Sequence, residues 1–208
     1  MSSWLHWIDI LGVAVFAISG TLMAHKKHMD GFGVVVLASV TAVGGGTTRD
    51  LILNLPVFWV HDNSYLYSIL AAAFATILWV RIYDRFPLRF LLLADALGLA
   101  FVNMIGLQKA LSLGVTPFIA IVMGTMTGVF GGLLRDVMCR EIPLVLKGEL
   151  YATTCIAGGL GYFVAQYIGL NASSCMLTGG LITLVLRLFA IRWNWSLPVF
   201  KVTEHPHQ

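Results

Sequence analysis

The chain of 208 residues carries one motif twice, as TAVGGGTTRD at Thr41–Asp50 and as TGVFGGLLRD at Thr127–Asp136. The two copies begin 86 residues apart and share the pattern T-x-V-x-G-G-x-x-R-D, so the polar and glycine positions agree best. Chance similarity between two apolar segments would favour agreement at the apolar positions instead. The same shift brings DILGVA at 9–14 onto DALGLA at 95–100 without a gap. The sequence therefore predicts an internal duplication.

The composition is that of a membrane protein. Hydrophobic residues make up 58% of the chain and charged residues only 11%, whereas charged residues are about 25% of ordinary soluble domains. The mean hydropathy is +0.85. Because a helix needs about 20 apolar residues to cross a bilayer, we predict an all-α membrane protein with seven transmembrane helices, at residues 4–24, 31–50, 64–81, 89–109, 116–138, 151–168 and 174–193.

The duplication is predicted to be an inverted one. The repeat interval contains three predicted spans, and an odd number of spans turns the second copy upside down in the membrane. We expect a single membrane domain over residues 1–208, with repeat one at 4–86 (helices 1–3), repeat two at 89–170 (helices 4–6) and a seventh helix at 172–195. This seventh helix lies outside the duplication, and it either packs on the repeats or mediates oligomerisation.

Lysine and arginine residues predict the orientation of the chain. Connections after the odd-numbered spans are basic, whereas on the other side only Lys109 and Arg49 are within reach. Because basic loops stay in the cytoplasm, the amino terminus is predicted to lie outside and the carboxyl terminus in the cytoplasm. The basic residues of the odd-numbered connections are Lys26, Lys27, Arg81, Arg85, Arg89, Arg140, Lys147, Arg192 and Lys201.

The glycine motifs predict a pathway between the repeats. Adjacent glycines weaken a helix by roughly 1 kcal/mol each relative to alanine, so they permit a kink or an unwound turn. In lipid, an unwound turn is tolerated only where protein or a water-filled cavity satisfies its backbone groups, and broken helices of inverted repeats often bind ions near the midplane. Close packing of helices through small residues is the alternative interpretation. The candidate ion-pathway residues are Thr41, Gly44, Gly45, Gly46, Thr47, Thr127, Phe130, Gly131 and Gly132.

Charged residues accompany both glycine motifs. The dipeptides Arg49-Asp50 and Arg135-Asp136 lie one helical turn beyond the glycines, where a charge is costly unless it is paired or hydrated. Asp9 and Asp95 lie in the first helix of each repeat and are the expected partners of the two arginines. We hypothesise that these buried charges line or gate the pathway. A purely structural role, in which ion pairs fix the helix register, is the alternative.

Other kinds of site are not predicted. The sequence shows no nucleophile with its base, no phosphate loop and no cofactor motif, so we expect neither an enzyme nor a cofactor. The six histidines show no i, i+4 pairing with carboxylates, which argues against a bound metal other than a transported monovalent cation at the glycine kinks. No basic patch suggests nucleic acid as a partner.

The chain resembles the trimeric intracellular cation (TRIC) channel family, in the bacterial branch that is also described by a duplicated glycine-transporter domain. The resemblance runs from about Ile8 to Phe200 and rests on both glycine motifs, on DILGVAVFAISG at 9–20, on REIP at 140–143 and on ELYA at 149–152. Animal members of the family carry a Lys-Glu-Val motif on helix four and are linked to lipid binding. That motif is not found in this sequence.

The resemblance implies a homotrimer in the bacterial inner membrane, with one pore in each protomer and membrane lipids as the other partners. Helices two and five of the family are kinked at their glycines and line the pore, which here corresponds to Gly44–Gly46 and to Gly131 and Gly132. The implied function is a monovalent cation channel, permeable mainly to potassium, with sodium as a second transported ion. A transporter of glycine or another small amino acid is the alternative. A structural subunit without transport is a third, which the duplicated charges argue against.

Overall fold

Seven α-helices form the described part of the molecule. The computed structural model describes residues 3–83, 88–148 and 150–196, and this part of the chain is helical except for turns, loops and one short 3-10 segment at Leu144–Leu146. Residue 86, Arg85, Glu149, Phe200 and Lys201, which carried predictions above, lie outside the described residues. The helices are α1 (Ser3–Lys26), α2 (Gly31–Ile52), α3 (Asn63–Tyr83), α4 (Leu88–Leu111), α5 (Pro117–Met138), α6 (Ala152–Tyr167) and α7 (Ala172–Trp193).

The predicted spans are confirmed as helices, each within about two residues of its predicted ends. Six of the seven are long and apolar enough to cross a membrane. The exception is α6, whose 16 residues extend about 24 Å at 1.5 Å per residue, less than the roughly 30 Å of a hydrocarbon core. Local signals set several ends: Asp30 and Asn171 accept hydrogen bonds from Gly33 N and Ser174 N, and Pro117 opens α5.

The two three-helix units share their turns as well as their helices. Asn54 follows α2 and Arg140 follows α5, and both adopt a left-handed conformation with φ of 53°. In each case the next amide donates to the carbonyl of the motif aspartate, over 2.8 Å from Leu55 to Asp50 and 2.9 Å from Glu141 to Asp136. These are the helix-ending bonds of a left-handed C-terminal cap. The duplication is therefore preserved in the backbone geometry.

Helix packing places α1 and α4 at the centre. Helix α1 packs on α2, α3 and α4, while α4 packs in addition on α5 and α7. Helix α2 contacts α5 directly, and α7 packs on α4 and α6. The seventh helix thus packs on repeat two, and packing on the repeats was the first of the two roles considered for it.

A charged clasp joins the two units at one end of the molecule. Lys27 Nζ lies 2.8 Å from Glu141 Oε1, and Lys26 Nζ lies 3.6 Å from the same atom. The hydrogen bond from Lys27, with the charge of Lys26, holds the pKa of Glu141 below its usual value. Since Lys26 ends α1, Lys27 follows it and Glu141 follows α5, the ends of these two odd-numbered helices lie on the same side.

The glycine motifs form the contact between α2 and α5. A Cβ atom at Gly45 would overlap the carbonyl oxygen of Thr127, and a Cβ atom at Gly131 would overlap the carbonyl oxygen of Thr41. The two contacts are related by the repeat, so the helices cross where each presents a glycine to the backbone of the other. This is the close approach that small residues allow in membranes.

The predicted unwound turn is wrong. Both helices are continuous α-helix through the glycine segments, from Gly31 to Ile52 and from Pro117 to Met138. The carbonyls of these segments therefore stay in helical hydrogen bonding, because the neighbouring helix supplies the packing that compensates for weak glycine propensity. Cation ligation by freed carbonyls has no basis in this conformation.

We predict that Gly45→Ala and Gly131→Ala each lower the stability of the purified protein, by about 1–3 kcal/mol as expected for overpacking. The methyl group would force α2 and α5 apart at their crossing. The measurement is thermal unfolding in detergent, followed by fluorescence or by loss of the monodisperse elution peak.

The matched control is Gly31→Ala, because a Cβ atom there meets no atom within 4 Å. We expect its unfolding temperature to be unchanged or slightly raised. Equal effects of all three substitutions would contradict a special role for the crossing.

Candidate functional site

Two buried threonines flank the helix crossing. The Thr41 hydroxyl donates to the Leu37 carbonyl, and the Thr127 hydroxyl donates to the Met123 carbonyl. Both side chains are fully buried. A Cβ atom at Gly20 would crowd Thr41, and one at Gly106 would crowd Thr127. The first helix of each repeat therefore closes over the threonine of its own second helix, and the crossing is sealed in this conformation.

The other candidate pathway residues point in several directions. Gly44 faces Leu134, Gly46 faces the Phe58 ring and Gly132 faces the Tyr151 hydroxyl. The Thr47 hydroxyl accepts a hydrogen bond of 3.0 Å from the Trp59 indole. Phe130 lies apart from the crossing, in an apolar cleft that also involves Ile156 of α6. The structure thus brings Thr41, Gly45, Thr127 and Gly131 together at the crossing, whereas the other predicted pathway residues face different neighbours.

The inner cluster is the group of charges around Arg135. Its guanidinium lies 2.7 Å from Asp95 and 2.8 Å from Asp136, and it also donates to the Ser19 hydroxyl. All of these side chains are buried. Two carboxylates and a hydroxyl on one arginine give a charge-assisted network that fixes α1, α4 and α5. The expected contact between Asp95 and Arg135 is present.

The outer cluster is the group of charges around Asp50. Arg49 Nε lies 2.8 Å from Asp50 Oδ1, and Lys109 Nζ lies 2.9 Å from the same oxygen. The Arg49 guanidinium also sits 5.6 Å from the centre of the Phe58 ring, within the range of a cation–π contact. In the described part of the chain, no ion pair within 4 Å joins Arg49 to Asp9.

Asp9 has a different partner from the expected one. The Tyr65 hydroxyl donates to Asp9 Oδ2 over 3.0 Å, while Arg49 is turned toward Asp50 and Lys109. The expected Arg49–Asp9 pair is therefore wrong in this conformation. The hydroxyl of Tyr65 occupies Asp9, and the guanidinium of Arg49 binds the carboxylate of its own neighbour Asp50, which it shares with Lys109. Lys109 has Met23 at the corresponding position of repeat one.

Each motif aspartate also anchors a loop. The Phe58 amide donates to Asp50 Oδ2 over 3.0 Å, and the Leu144 amide donates to Asp136 Oδ2 over 3.1 Å. Both amides lie eight residues beyond their aspartate. The carboxylates of Asp50 and Asp136 thus tie a buried arginine to the segment that covers the end of the helix.

The two clusters lie on opposite sides of the crossing. Each arginine follows its crossing glycine by four residues, which corresponds to about 6 Å along a helix. Because α2 and α5 belong to oppositely inserted units, the outer and inner clusters are separated by roughly 12 Å along the helix direction. The crossing occupies the space between them.

Several residues of the site were not identified from the sequence. Tyr65 and Tyr151, and likewise Phe58 and Leu144, are 86 residues apart, so extending the repeat comparison into these segments would have found them. Lys109 lacks that signal, because its counterpart is a methionine. Arg187 of α7 is buried over the Tyr151 ring, 4.7 Å from its centre; its signal was an arginine inside an apolar span.

Inverted three-helix units around a sealed crossing, with a buried charge cluster on each side, define an integral membrane protein of the channel and transporter class. A family model described as Glycine transporter matches residues 6–81 and 92–167. A UPF0126 membrane protein of Vibrio cholerae is 49% identical over 204 residues, covering 98% of this chain and 85% of the relative. The UPF0126 inner membrane protein YadS of Escherichia coli K12 is 48% identical, covering 97% and 98% of the two chains.

Solved structures show the same fold. The TRIC trimeric intracellular cation channel orthologue from Rhodobacter sphaeroides is 35% identical, with a TM-score of 0.87 over 93% of this chain and 100% of that one. A prokaryotic TRIC channel crystallised in 0.5 M KCl is 30% identical, with a TM-score of 0.81 over 95% and 100%. The chain belongs to this family of glycine-transporter-domain proteins and TRIC channels. Because the solved relatives are ion channels, the expectation that it is not an enzyme is confirmed.

We predict that Asp95→Asn destabilises the protein far more than Asp9→Asn. Removing one partner of a buried ion pair costs about 3–5 kcal/mol, and Asp95 directly pairs with Arg135, whereas Asp9 accepts from a neutral tyrosine. The measurement is the unfolding temperature of each variant in the same detergent.

Exchanging the charges, in Asp95→Arg with Arg135→Asp, tests the structural interpretation. Recovery of the folded protein without recovery of transport would assign the pair a purely structural role. Equal destabilisation by Asp95→Asn and Asp9→Asn would contradict the different partners described for the two carboxylates.

Proposed function

We propose that the chain is a monovalent cation channel, permeable to potassium, with one path in each protomer. The path runs along the α2–α5 crossing from the outer cluster to the inner cluster. The observation that carries the proposal is the placement of a buried, compensated charge cluster on each side of a sealed crossing. The likeness to solved TRIC cation channels supports it.

The path is closed in the conformation described above. Thr41 and Thr127 are fully buried, and their hydroxyls are held in their own helices. Opening would require α2 and α5 to separate at Gly45 and Gly131, which exposes the second lone pair of each facing threonine carbonyl to water while its helical hydrogen bond stays intact. Weak carbonyl and hydroxyl ligands without a ring of carboxylates suit a monovalent cation better than a divalent one.

A carrier of glycine or another small amino acid is the second candidate. The sealed crossing between two separate polar clusters favours it, because a carrier holds its substrate between an outer and an inner barrier. The match to a family described as Glycine transporter also supports it. The two candidates differ in whether both barriers open together.

The proposal includes the setting of the channel. We propose a homotrimer in the bacterial inner membrane, with membrane lipids around it, the amino terminus outside and the carboxyl terminus in the cytoplasm. Lys26, Lys27 and Arg140 meet at one face of the molecule, and basic residues favour the cytoplasmic face. We expect no resident cofactor.

We predict that purified protein in planar bilayers gives unitary potassium currents that reverse near the potassium equilibrium potential in a KCl gradient. Vesicles with the same protein should take up glycine no faster than empty vesicles. Saturable glycine uptake with no resolvable conductance would contradict the channel and support the carrier.

Asp50→Asn links the currents to the proposed path. It leaves Arg49 and Lys109 without their shared carboxylate, so the added positive field should lower potassium conductance by roughly tenfold, which corresponds to about 1.4 kcal/mol on the barrier. The matched control is Asp30→Asn, because asparagine caps a helix about as well as aspartate and Asp30 lies at the other end of α2. An unchanged conductance in Asp50→Asn would place the path elsewhere.

A further inference from the structure

His6 begins a chain of polar contacts that ends at buried Asp9. Its Nε2 atom lies 3.6 Å from Asp62 Oδ2, and its Nδ1 atom lies 3.5 Å from the Tyr65 hydroxyl oxygen. Tyr65 in turn donates to Asp9 Oδ2 over 3.0 Å. The His6 side chain is one-third exposed, whereas Asp9 is buried. This chain of contacts therefore connects the outer surface to the proposed path.

Both neighbours of the His6 ring present hydrogen-bond acceptors to it. The Tyr65 hydroxyl donates its hydrogen bond to Asp9, so it offers only a lone pair to His6. Hydrogen bonds from Ser64 hold the pKa of Asp62 below its usual value, so Asp62 is a carboxylate at neutral pH. A neutral imidazole has one N–H and one lone pair, whereas the imidazolium has two N–H groups. The neutral ring can therefore donate to one of these neighbours at a time, whereas the imidazolium can donate to both.

The rings around Tyr65 hold it in this arrangement. His6 and Phe58 each meet the tyrosine ring edge to face, with centroids 5.7 and 4.7 Å away. Tyr65 is itself buried. A loss of the His6 contacts would therefore loosen the tyrosine on the side that faces the surface.

Arg49 offers Asp9 an alternative hydrogen-bond donor. The Nη2 atom of Arg49 is buried and has no hydrogen-bond partner among the described residues. In the inner cluster the equivalent carboxylate, Asp95, contacts Arg135 directly. Asp9 released from Tyr65 would be able to form the same contact with Arg49.

The surface residues of this chain of contacts, His6 and Asp62, occur in repeat one alone. The positions equivalent to His6 and Asp62 in repeat two are Leu92 and Gly148, while Tyr151 and Asp95 occupy the positions of Tyr65 and Asp9. The duplication thus supplies an internal comparison, in which the equivalent tyrosine, Tyr151, has no histidine at the position of His6.

We propose that His6 and Tyr65 are positioning residues for Asp9 and that they make the channel sensitive to pH at its outer face. This proposal rests on the proposed function. At low pH the imidazolium bonds Asp62 and Tyr65, and Tyr65 holds Asp9 away from Arg49. At higher pH the ring loses one of its two donors, the tyrosine loosens, and Asp9 turns to Arg49. The compensated arginine then presents a weaker barrier to a cation.

Other titratable groups face this region from every helix packed on this chain of contacts. They are Arg49 and Asp50 of α2, Lys109 of α4, Asp9 of α1, Tyr65 of α3, and Asp62 just before α3. Among these side chains and His6, histidine is the type whose ordinary charge change falls between about pH 5 and pH 8.

The test is the potassium current as a function of pH on the outer side, between about pH 5 and pH 8. We expect the wild-type current to rise several-fold with pH and the rise to disappear in His6→Gln and in Tyr65→Phe. Tyr151→Phe is the matched control and should keep the rise, and pH on the inner side should have no such effect. A wild-type current without the rise, or a rise that persists in His6→Gln, would overturn the proposal.

A second readout does not depend on conduction. The proposal predicts that the ring carbon resonance of Tyr65, in tyrosine-labelled protein in lipid nanodiscs, shifts with pH over the same range and stops shifting in His6→Gln. The Tyr151 resonance should not follow it. If the Tyr65 signal depends on pH but no potassium current is found, the channel proposal fails while the contacts from His6 to Asp9 stand. If the Tyr65 signal is the same in wild type and His6→Gln, the proposed role of His6 is overturned.

Discussion

The backbone contact between α2 and α5 is the constraint on which the rest of the site depends. Gly45 and Gly131 each meet a threonine carbonyl of the other helix, so neither position accepts a side chain. Because the contact is symmetric, it places Arg49 and Arg135 at equal distances on opposite sides. Everything charged in the core then has to be compensated at these two depths, where an unpaired charge would be costly.

The two repeats solve this compensation in different ways. The inner cluster is closed, since Arg135 binds two carboxylates and a hydroxyl, and Arg187 of α7 packs beside it over Tyr151. The outer cluster shares one carboxylate between Arg49 and Lys109 and leaves Asp9 to a tyrosine. The outer end therefore has fewer charge-assisted bonds and more contact with the surface. The two ends of the proposed path therefore differ in charge compensation and in exposure.

The sequence was sufficient for the fold because the repeat and the apolar spans are regular patterns. It also located the crossing, since glycines and Arg-Asp pairs recur at a fixed interval. It did not determine that the glycines pack rather than unwind, because propensity alone does not say whether a second helix compensates a weak one. The partner of Asp9 is Tyr65, which lies 56 residues away along the chain, and Asp50 is shared with Lys109, whose counterpart is Met23. Contacts that break the repeat, or that join distant helices, leave no local pattern.

The central claim is that cations pass each protomer at the α2–α5 crossing. The most direct measurement is a crystal structure of the purified protein grown with rubidium in place of potassium, with the ions located by anomalous scattering. The account predicts rubidium on the axis between the outer and inner clusters, beside Thr41 or Thr127, in every protomer. Rubidium confined to a channel between the protomers would contradict it.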